Sequence, residues 1–395
     1  MSRTEPLAFS PLPQPLPSLE EVLEDAAVVD LPMTSRFRGL QRRESMLVRG
    51  PQGWAEFAAF PEYDDAEALA WWRCALEVAW LGLPRPRRTT VSVNATVPAV
   101  PAAEVPRVLA RYGEGIAAVK VKVAEHGQSL ADDDARVAAV RAVLPEAALR
   151  VDANAGWGPE EAVEALIRLA RHGLEYAEQP SPGIEGLARV RSELRGRGEP
   201  LPIAADESVR KAEDPLAVAR AEAADLIVIK AAPLGGARRA LAVVEQAGLP
   251  AVVSSALETS VGLSAGLALA AALPELPYAC GLGTAALLAE DVTGSPLVPS
   301  GGVLPVAPSP PIRSCWPGTG PRRSASSGGE TALAGCTACS SGPKRSIAPD
   351  RSPLEVPSTC GFIGDTAWLP VLFLPSSSCS LRVLPATNRP SRTTG

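Results

Sequence analysis

A chain of 395 residues, 46% of them hydrophobic, is long enough to bury a sizeable core and to hold more than one structural unit. Its formal net charge of -6 offers no broad attraction to nucleic acid. The Pro-rich start has no apolar core of signal-peptide length and the most apolar long stretch, Val252 to Leu273, contains Glu258, so a cytoplasmic protein with no membrane or nucleic-acid partner is expected.

In chain order, residues 1–24 are too rich in Pro to pack and read as a loose lead-in. Residues 25–90 read as a small α+β unit. Ala26 to Val29, Gln41 to Arg49 and Trp54 to Phe60 are strand-like, and Gly50-Pro51-Gln52-Gly53 is a turn, which together predict an antiparallel meander. Asp64-Asp65 is placed to cap a helix through Trp80, with Leu69, Trp72, Leu76 and Trp80 at helical spacing as core. The segment Leu83 to Arg88, with two Pro and three Arg, marks a boundary.

From residue 91 to 306 the pattern repeats. Short β-rich runs begin near Ser92, Ala118, Leu149, Tyr176, Pro202, Leu226, Ala251 and Tyr278, separated by amphipathic segments such as Ala131 to Leu144 and Glu160 to His172. Strand alternating with helix implies parallel strands joined by crossovers, and eight such units predict a closed (β/α)8 barrel. An open doubly wound sheet would normally carry a Gly-rich phosphate loop after its first strand, and Asn94-Ala95-Thr96 is not one.

Residues 307–395 change character abruptly, being dense in Pro, Ser, Gly and Cys. They hold nine basic against four acidic residues, so that segment carries +5 and the preceding body -11. A disordered or poorly packed tail is expected there, and the sudden shift in composition also fits a changed reading frame. Five of the seven cysteines lie in it, with Cys336 and Cys339 forming one C-x-x-C, but the second ligand pair that structural zinc requires is missing.

The chemistry centres on Ala118-Val119-Lys120-Val121-Lys122-Val123, where strand alternation puts both lysines on one face. The bland explanation is an edge strand guarded by Lys. The ends of the following strands argue against it. They carry Asp152 and Asn154, then Glu178, then Asp206 and Glu207, then Lys230. Asp152, Glu178 and Asp206 are 26 and 28 residues apart, one βα unit each, so a barrel gathers them at its C-terminal mouth. Singly, each carboxylate could be a helix cap or a solvated charge. Together they would repel without a cation, and hard oxygen ligands without His or Cys suit Mg²⁺ rather than zinc. A divalent cation between opposed lysines suits abstraction of a proton next to a carboxylate, since the enediolate so formed has two negative oxygens to stabilise. The base must be a neutral lysine, and the metal with Lys120 beside it is expected to lower the pKa of Lys122.

The K-x-K of Lys120 and Lys122, D-x-N of Asp152 and Asn154, E-Q-P of Glu178 to Pro180, D-E-S of Asp206 to Ser208 and Lys230 resemble, as an ordered set, the muconate-lactonizing branch of the enolase superfamily. Arg36 to Gly39, Glu62 to Glu67, Asn94 to Val97 and Gly281 to Thr284 bring the resemblance closest to the family of actinobacterial o-succinylbenzoate synthases, over about residues 25–306. It implies an N-terminal domain capping a barrel and a Mg²⁺-dependent dehydration of a succinyl-substituted cyclohexadiene carboxylate in menaquinone biosynthesis. Lys122 would be the base and Lys230 a cation across the ring. Asp152, Glu178 and Asp206 would be the metal ligands, with Asn154, Glu207 and Lys120 supporting them. Ser254, Ser255, Gly283 and Arg38 would meet the substrate, and Arg36 to Arg38 and Phe60 to Tyr63 would form the cap's side of the cavity. Relatives return the chain to pack on the cap after the barrel, and residues 307–395 do not resemble that segment.

Two alternatives stay open at this point. Lys122 and Lys230 on opposite faces could serve a racemase or dipeptide epimerase, and the aberrant tail suggests a non-catalytic barrel scaffold. The sequence implies no particular oligomeric state.

Overall fold

A computed structural model describes residues 15–37, 39–209, 214–307 and 310–311. The expectations for residues 1–14, for Arg38 and for all but three residues of the tail, its C-x-x-C included, lie outside the described residues.

The first elements are α1 (Leu19–Glu24) and the strands β1 (Ala27–Phe37), β2 (Leu40–Gly50) and β3 (Gly53–Phe57), followed by α2 (Asp65–Leu76). Helix α1 corrects the expectation of a loose lead-in up to residue 24, because Ser18 and Glu21 form a capping box and Val22 is buried. The strands form the expected antiparallel meander in the order β1-β2-β3. Asp64 caps α2, its side chain accepting from the Glu67 amide at 2.9 Å. The helix does not run unbroken to Trp80: after Leu76 the backbone widens into a π-helical turn over Glu77–Leu81, so Trp71, Trp72, Cys74 and Ala75 are buried and Trp80 is only partly so. Phe57 meets Trp72 edge-on at 5.5 Å, fastening β3 to the helix.

The barrel is built from β4 (Thr90–Ser92), β5 (Ala95–Val97), α3 (Val105–Leu109), β6 (Ala118–Lys122), α4 (Leu130–Val143), β7 (Ala148–Asp152), α5 (Pro159–Ala170), β8 (Leu174–Glu178), α6 (Gly183–Gly196), β9 (Ile203–Ala205), α7 (Asp214–Arg220), β10 (Leu226–Ile229), α8 (Ala237–Ala247), β11 (Ala251–Val253), α9 (Ser260–Ala272) and β12 (Val303–Pro305). Seven strands, β5 through β11, form one parallel sheet in sequence order. The eighth position is only a pair of parallel bridges, Cys280 with Val93 and Gly281 with Ser254. These close the ring: the Asn94 amide donates to the Cys280 carbonyl at 2.9 Å and the Gly281 amide to the Val253 carbonyl at 2.8 Å. The first predicted run also divides in two, because the Asn94 side chain donates to the Ala95 carbonyl and Thr96 hydroxyl, and β4 pairs instead with β12 in antiparallel fashion.

Several barrel helices are held by one apolar stripe. On α5, Ala162, Val163, Leu166 and Leu169 are all fully buried, and each leucine contributes about 2 kcal/mol by leaving water. α9 differs: nearly every residue from Ser260 to Ala272 is buried, because it is wedged between the barrel wall and the cap's β3. β6 is central, paired with β5 on one side and β7 on the other, so its lysines guard no sheet edge.

Candidate active site

Strand register places the charged residues. Lys122 pairs with Asp152 and Asp152 with Glu178 across β6, β7 and β8. One layer deeper, Lys120 stands opposite Arg150, and Arg150 opposite Tyr176. Arg150 fills the barrel interior beneath the site, 4.8 Å over the Tyr176 ring and hydrogen-bonded to Asn94 and the Ala279 carbonyl.

Lys120 is buried and bridges two carboxylates, at 2.7 Å from Glu178 Oε1 and 2.9 Å from Asp152 Oδ2. Burial works against its charge, but Asp152 and Glu178 more than offset that and hold its pKa well above the usual lysine value. Lys122 Nζ lies 2.6 Å from Asp152 Oδ2 and 2.5 Å from Asn154 Oδ1, with the Phe37 ring of the cap 5.2 Å away. On the opposite flank Lys230 is ion-paired with Asp206. The sequence therefore brings all three lysines and all three carboxylates to one end of the barrel, on elements that the βα repeat spaces evenly.

The carboxylates are unequally compensated. Burial opposes ionisation of Asp152 and Asp206, yet Lys120 and Lys122 around the first, and Lys230 and Lys120 around the second, hold both below the normal range. Glu178 goes the other way: burial first, and the Asp152 charge second, push it up to about 8. Its Oε2 is buried and has no hydrogen-bond partner. As the side chains stand, each acid is turned to a lysine, and no three His, Cys, Asp or Glu side chains among the described residues converge tightly enough to grip an ion.

Supporting contacts fix the rim. The Asn154 amide donates to Asp152 Oδ1 at 3.0 Å and its side chain to Glu207 Oε1 at 3.1 Å, with Asn154 at φ 45°, a conformation Asn tolerates. Gln179, unremarked as a sequence feature beyond its place in E-Q-P, ties two strand ends together. Its Oε1 accepts from the Asp206 and Ser208 amides at 2.9 and 3.1 Å while its Nε2 donates to Ser208 Oγ and the Ser181 carbonyl.

A cavity of about 310 Å³ is lined by Lys120, Lys122, Asp152, Asn154, Asp206, Glu207 and Lys230 from the barrel and by Arg36, Phe37, Gly39 and Phe60 from the cap, while Glu178 and Gln179 are not among its lining residues. Tyr63 stands behind Phe60, edge-on at 5.6 Å. Ser254 and Ser255 line it as well, Ser255 sharing a 2.6 Å hydrogen bond with Thr284. Gly283 does not: a side chain there would meet the Asn94 carbonyl at 3.0 Å and the Tyr112 ring, whereas its neighbours Gly281 and Thr284 face the cavity. Thr96, from the Asn94 to Val97 run, lines it too, as do Gln128 and Leu257. An isolated Gln or Leu carries no spacing signal, so nothing in the sequence marks the last two.

A capped barrel with lysines on both flanks of a carboxylate row defines a class of protein, and comparison with known proteins agrees. Residues 28–79 match the enolase N-terminal domain-like family and residues 102–313 the enolase C-terminal domain-like family. The fold is also that of the muconate lactonizing enzyme from Pseudomonas fluorescens, with a TM-score of 0.63 at 23% identity, covering 72% of this chain and 94% of that one. The chain belongs to the enolase superfamily. Within it, the chain is 54% identical over 297 residues to o-succinylbenzoate synthase of Mycolicibacterium smegmatis, covering 75% of this chain and 90% of the relative. To the o-succinylbenzoate synthase of Thermobifida fusca it is 56% identical over 277 residues, covering 70% and 85%.

Proposed function

We propose that this chain is an o-succinylbenzoate synthase, removing water from 2-succinyl-6-hydroxy-2,4-cyclohexadiene-1-carboxylate to leave 2-succinylbenzoate, with residues 25–90 as the cap and 91–306 as the catalytic barrel. The observation that carries this reading is the 54–56% identity to o-succinylbenzoate synthases over 70–75% of the chain. The placement of Lys122 and Lys230 on opposite flanks of one cavity, each hydrogen-bonded to a carboxylate at the end of a neighbouring strand, is the geometry the reaction needs.

Asp152, Glu178 and Asp206 would hold a Mg²⁺ ion, and the fit is supported by the donor set, three hard oxygen ligands, together with the unpartnered Oε2 of Glu178. When bound, the ion supplies positive charge against the substrate carboxylate as its α-carbon loses a proton. Lys122 takes that proton, held in line by Asn154 and Asp152. It then returns the proton to the departing 6-hydroxyl, so that the C–O bond breaks, water leaves and the ring becomes aromatic. Lys230 keeps its proton throughout, faces the other side of the ring and offsets the negative charge that builds there. Lys120 stays an ammonium beneath, fixing Asp152 and Glu178. The cap residues Arg36, Phe37 and Phe60 line the cavity from the N-terminal side, where they would shield the reacting atoms from water. Ser254 and Ser255, which line the cavity, would meet the succinyl arm. No helix among the described residues is long and apolar enough to cross a membrane.

The test is to incubate the purified protein, with Mg²⁺ and with a chelator, with the cyclohexadiene carboxylate and separately with N-succinylamino acids and dipeptides in deuterated water. Mg²⁺-dependent formation of the aromatic product is expected. Exchange of α-protons without dehydration would make it a racemase or epimerase, and neither activity would make it a scaffold.

A further inference from the structure

The cavity has two walls from different parts of the chain. One is Phe60 of the cap, and the other is the segment Ser254–Leu257 that follows β11. Between and behind them lies Arg43, on β2, only 1% exposed. Its guanidinium donates from Nε to the Leu257 carbonyl at 3.2 Å and from Nη2 to the Ala256 carbonyl at 3.3 Å. The same Nη2 donates to the Ala58 carbonyl of the cap, and the guanidinium lies 4.4 Å from the centre of the Phe60 ring. Strand alternation explains the position: Arg43 and Leu47 point to one face of β2, and Leu47 packs on Val261 of α9.

The wall held by Arg43 needs holding. Leu257 has φ 64°, a left-handed conformation costly for a side chain of that size. The Ala256 amide is tied to Glu258 Oε2 at 2.6 Å. Glu56, from β3, accepts from the Thr259 amide at 3.1 Å and from the Gly262 amide at 3.0 Å, anchoring the far end of the segment at the start of α9.

We propose that Arg43 is a positioning residue for substrate binding, one buried guanidinium that fixes the cap wall and the β11 wall of the cavity at their working separation. Arg43 touches no reacting group, so it acts through the carbonyls of Ala256 and Leu257 and through Phe60. This deepens the o-succinylbenzoate synthase reading and rests on it for the identity of the substrate. A planar fork reaches four carbonyls, that of Glu44 included, and an aromatic face at once, more acceptors than the three N–H groups of a lysine ammonium can serve.

The experiment compares wild type with Arg43→Lys, which keeps the buried charge, and with Arg43→Met. Each is read by kcat and KM for the cyclohexadiene carboxylate at saturating Mg²⁺ and by amide hydrogen exchange over residues 254–262. For Arg43→Lys, KM should rise about tenfold with kcat within about threefold, and exchange at Leu257 to Gly262 should quicken while the barrel strands stay protected. Arg43→Met should show the same split more strongly. A residue that only stabilised the fold would lower the amount of active enzyme at unchanged KM, so an unchanged KM, or unchanged exchange in the segment, overturns the proposal. Should the wild type fail to turn over this substrate, the functional reading falls, and the exchange measurement alone decides the role of Arg43.

Discussion

Lys230 shows how one side chain divides the chemistries open to this fold. It sits against Asp206 on the flank opposite Lys122, where it could offset charge or exchange a proton. On the proposed mechanism it only offsets charge, so Lys230→Met should lower kcat by about 10² to 10³ and Lys230→Arg, which keeps the charge and cannot act as a base, should recover part of the loss. Steady-state dehydration rates check this, and an Arg variant no better than Met would point to a second base. At this scale the sequence is most legible where residue type and strand spacing coincide. Lys120, Lys122, Asp152 and Glu178 meet because alternation and parallel register leave them no other place. Gly283 was harder, since beyond a two-residue bridge the backbone turns and a one-residue offset decides which group faces the cavity. Arg43 was not legible at all, because an arginine at an alternate strand position reads as a solvated face.

Elements were legible to the extent that their periodicity was unbroken. The helices after β6 and β7 fall within one or two residues of their predicted spans, while the first and eighth strands are shorter than expected because Asn94 and the Gly281–Leu282–Gly283 run interrupt them. The seam between β3 and α9 could not be read from pattern, because its partners are 203 residues apart. It contains a titratable link. Burial pushes the Glu56 carboxyl up to about 7, with Glu258 adding to the shift and the Thr259 hydrogen bond and Arg43 opposing it. The folded protein therefore keeps a proton at Glu56 that the unfolded chain releases near pH 4.5, so this group's contribution is full below about 4.5 and is lost as pH rises through about 7. Glu56→Gln, which keeps the shape and an acceptor oxygen, should flatten that slope, removing on the order of 3 kcal/mol of pH-dependent stability between pH 4.5 and 7.5. Urea unfolding across that range checks it, and an unchanged slope would place the ionisation elsewhere.

At the scale of the whole molecule, the repeat of strand and helix predicts the closed barrel and the family resemblance supplies the cap; closure is seen where Val93 and Ser254 meet the adjacent residues Cys280 and Gly281. The abrupt change at about residue 307 is a different matter, for the family match ends at residue 313 and the rest of that segment is outside the described residues. If a changed reading frame produced it, sequencing the gene around codon 306 should uncover an open, Ala- and Leu-rich alternative frame, and finding none would end that idea. The catalytic account depends on Lys122 more than on any other group. Its most direct test is the dehydration rate of Lys122→Ala beside wild type at saturating Mg²⁺, with Mg²⁺ affinity measured on both proteins. Turnover should fall by about 10³ or more while Mg²⁺ binding stays within a few-fold of wild type, and a variant with a near-normal rate would contradict the assignment of Lys122 as the base.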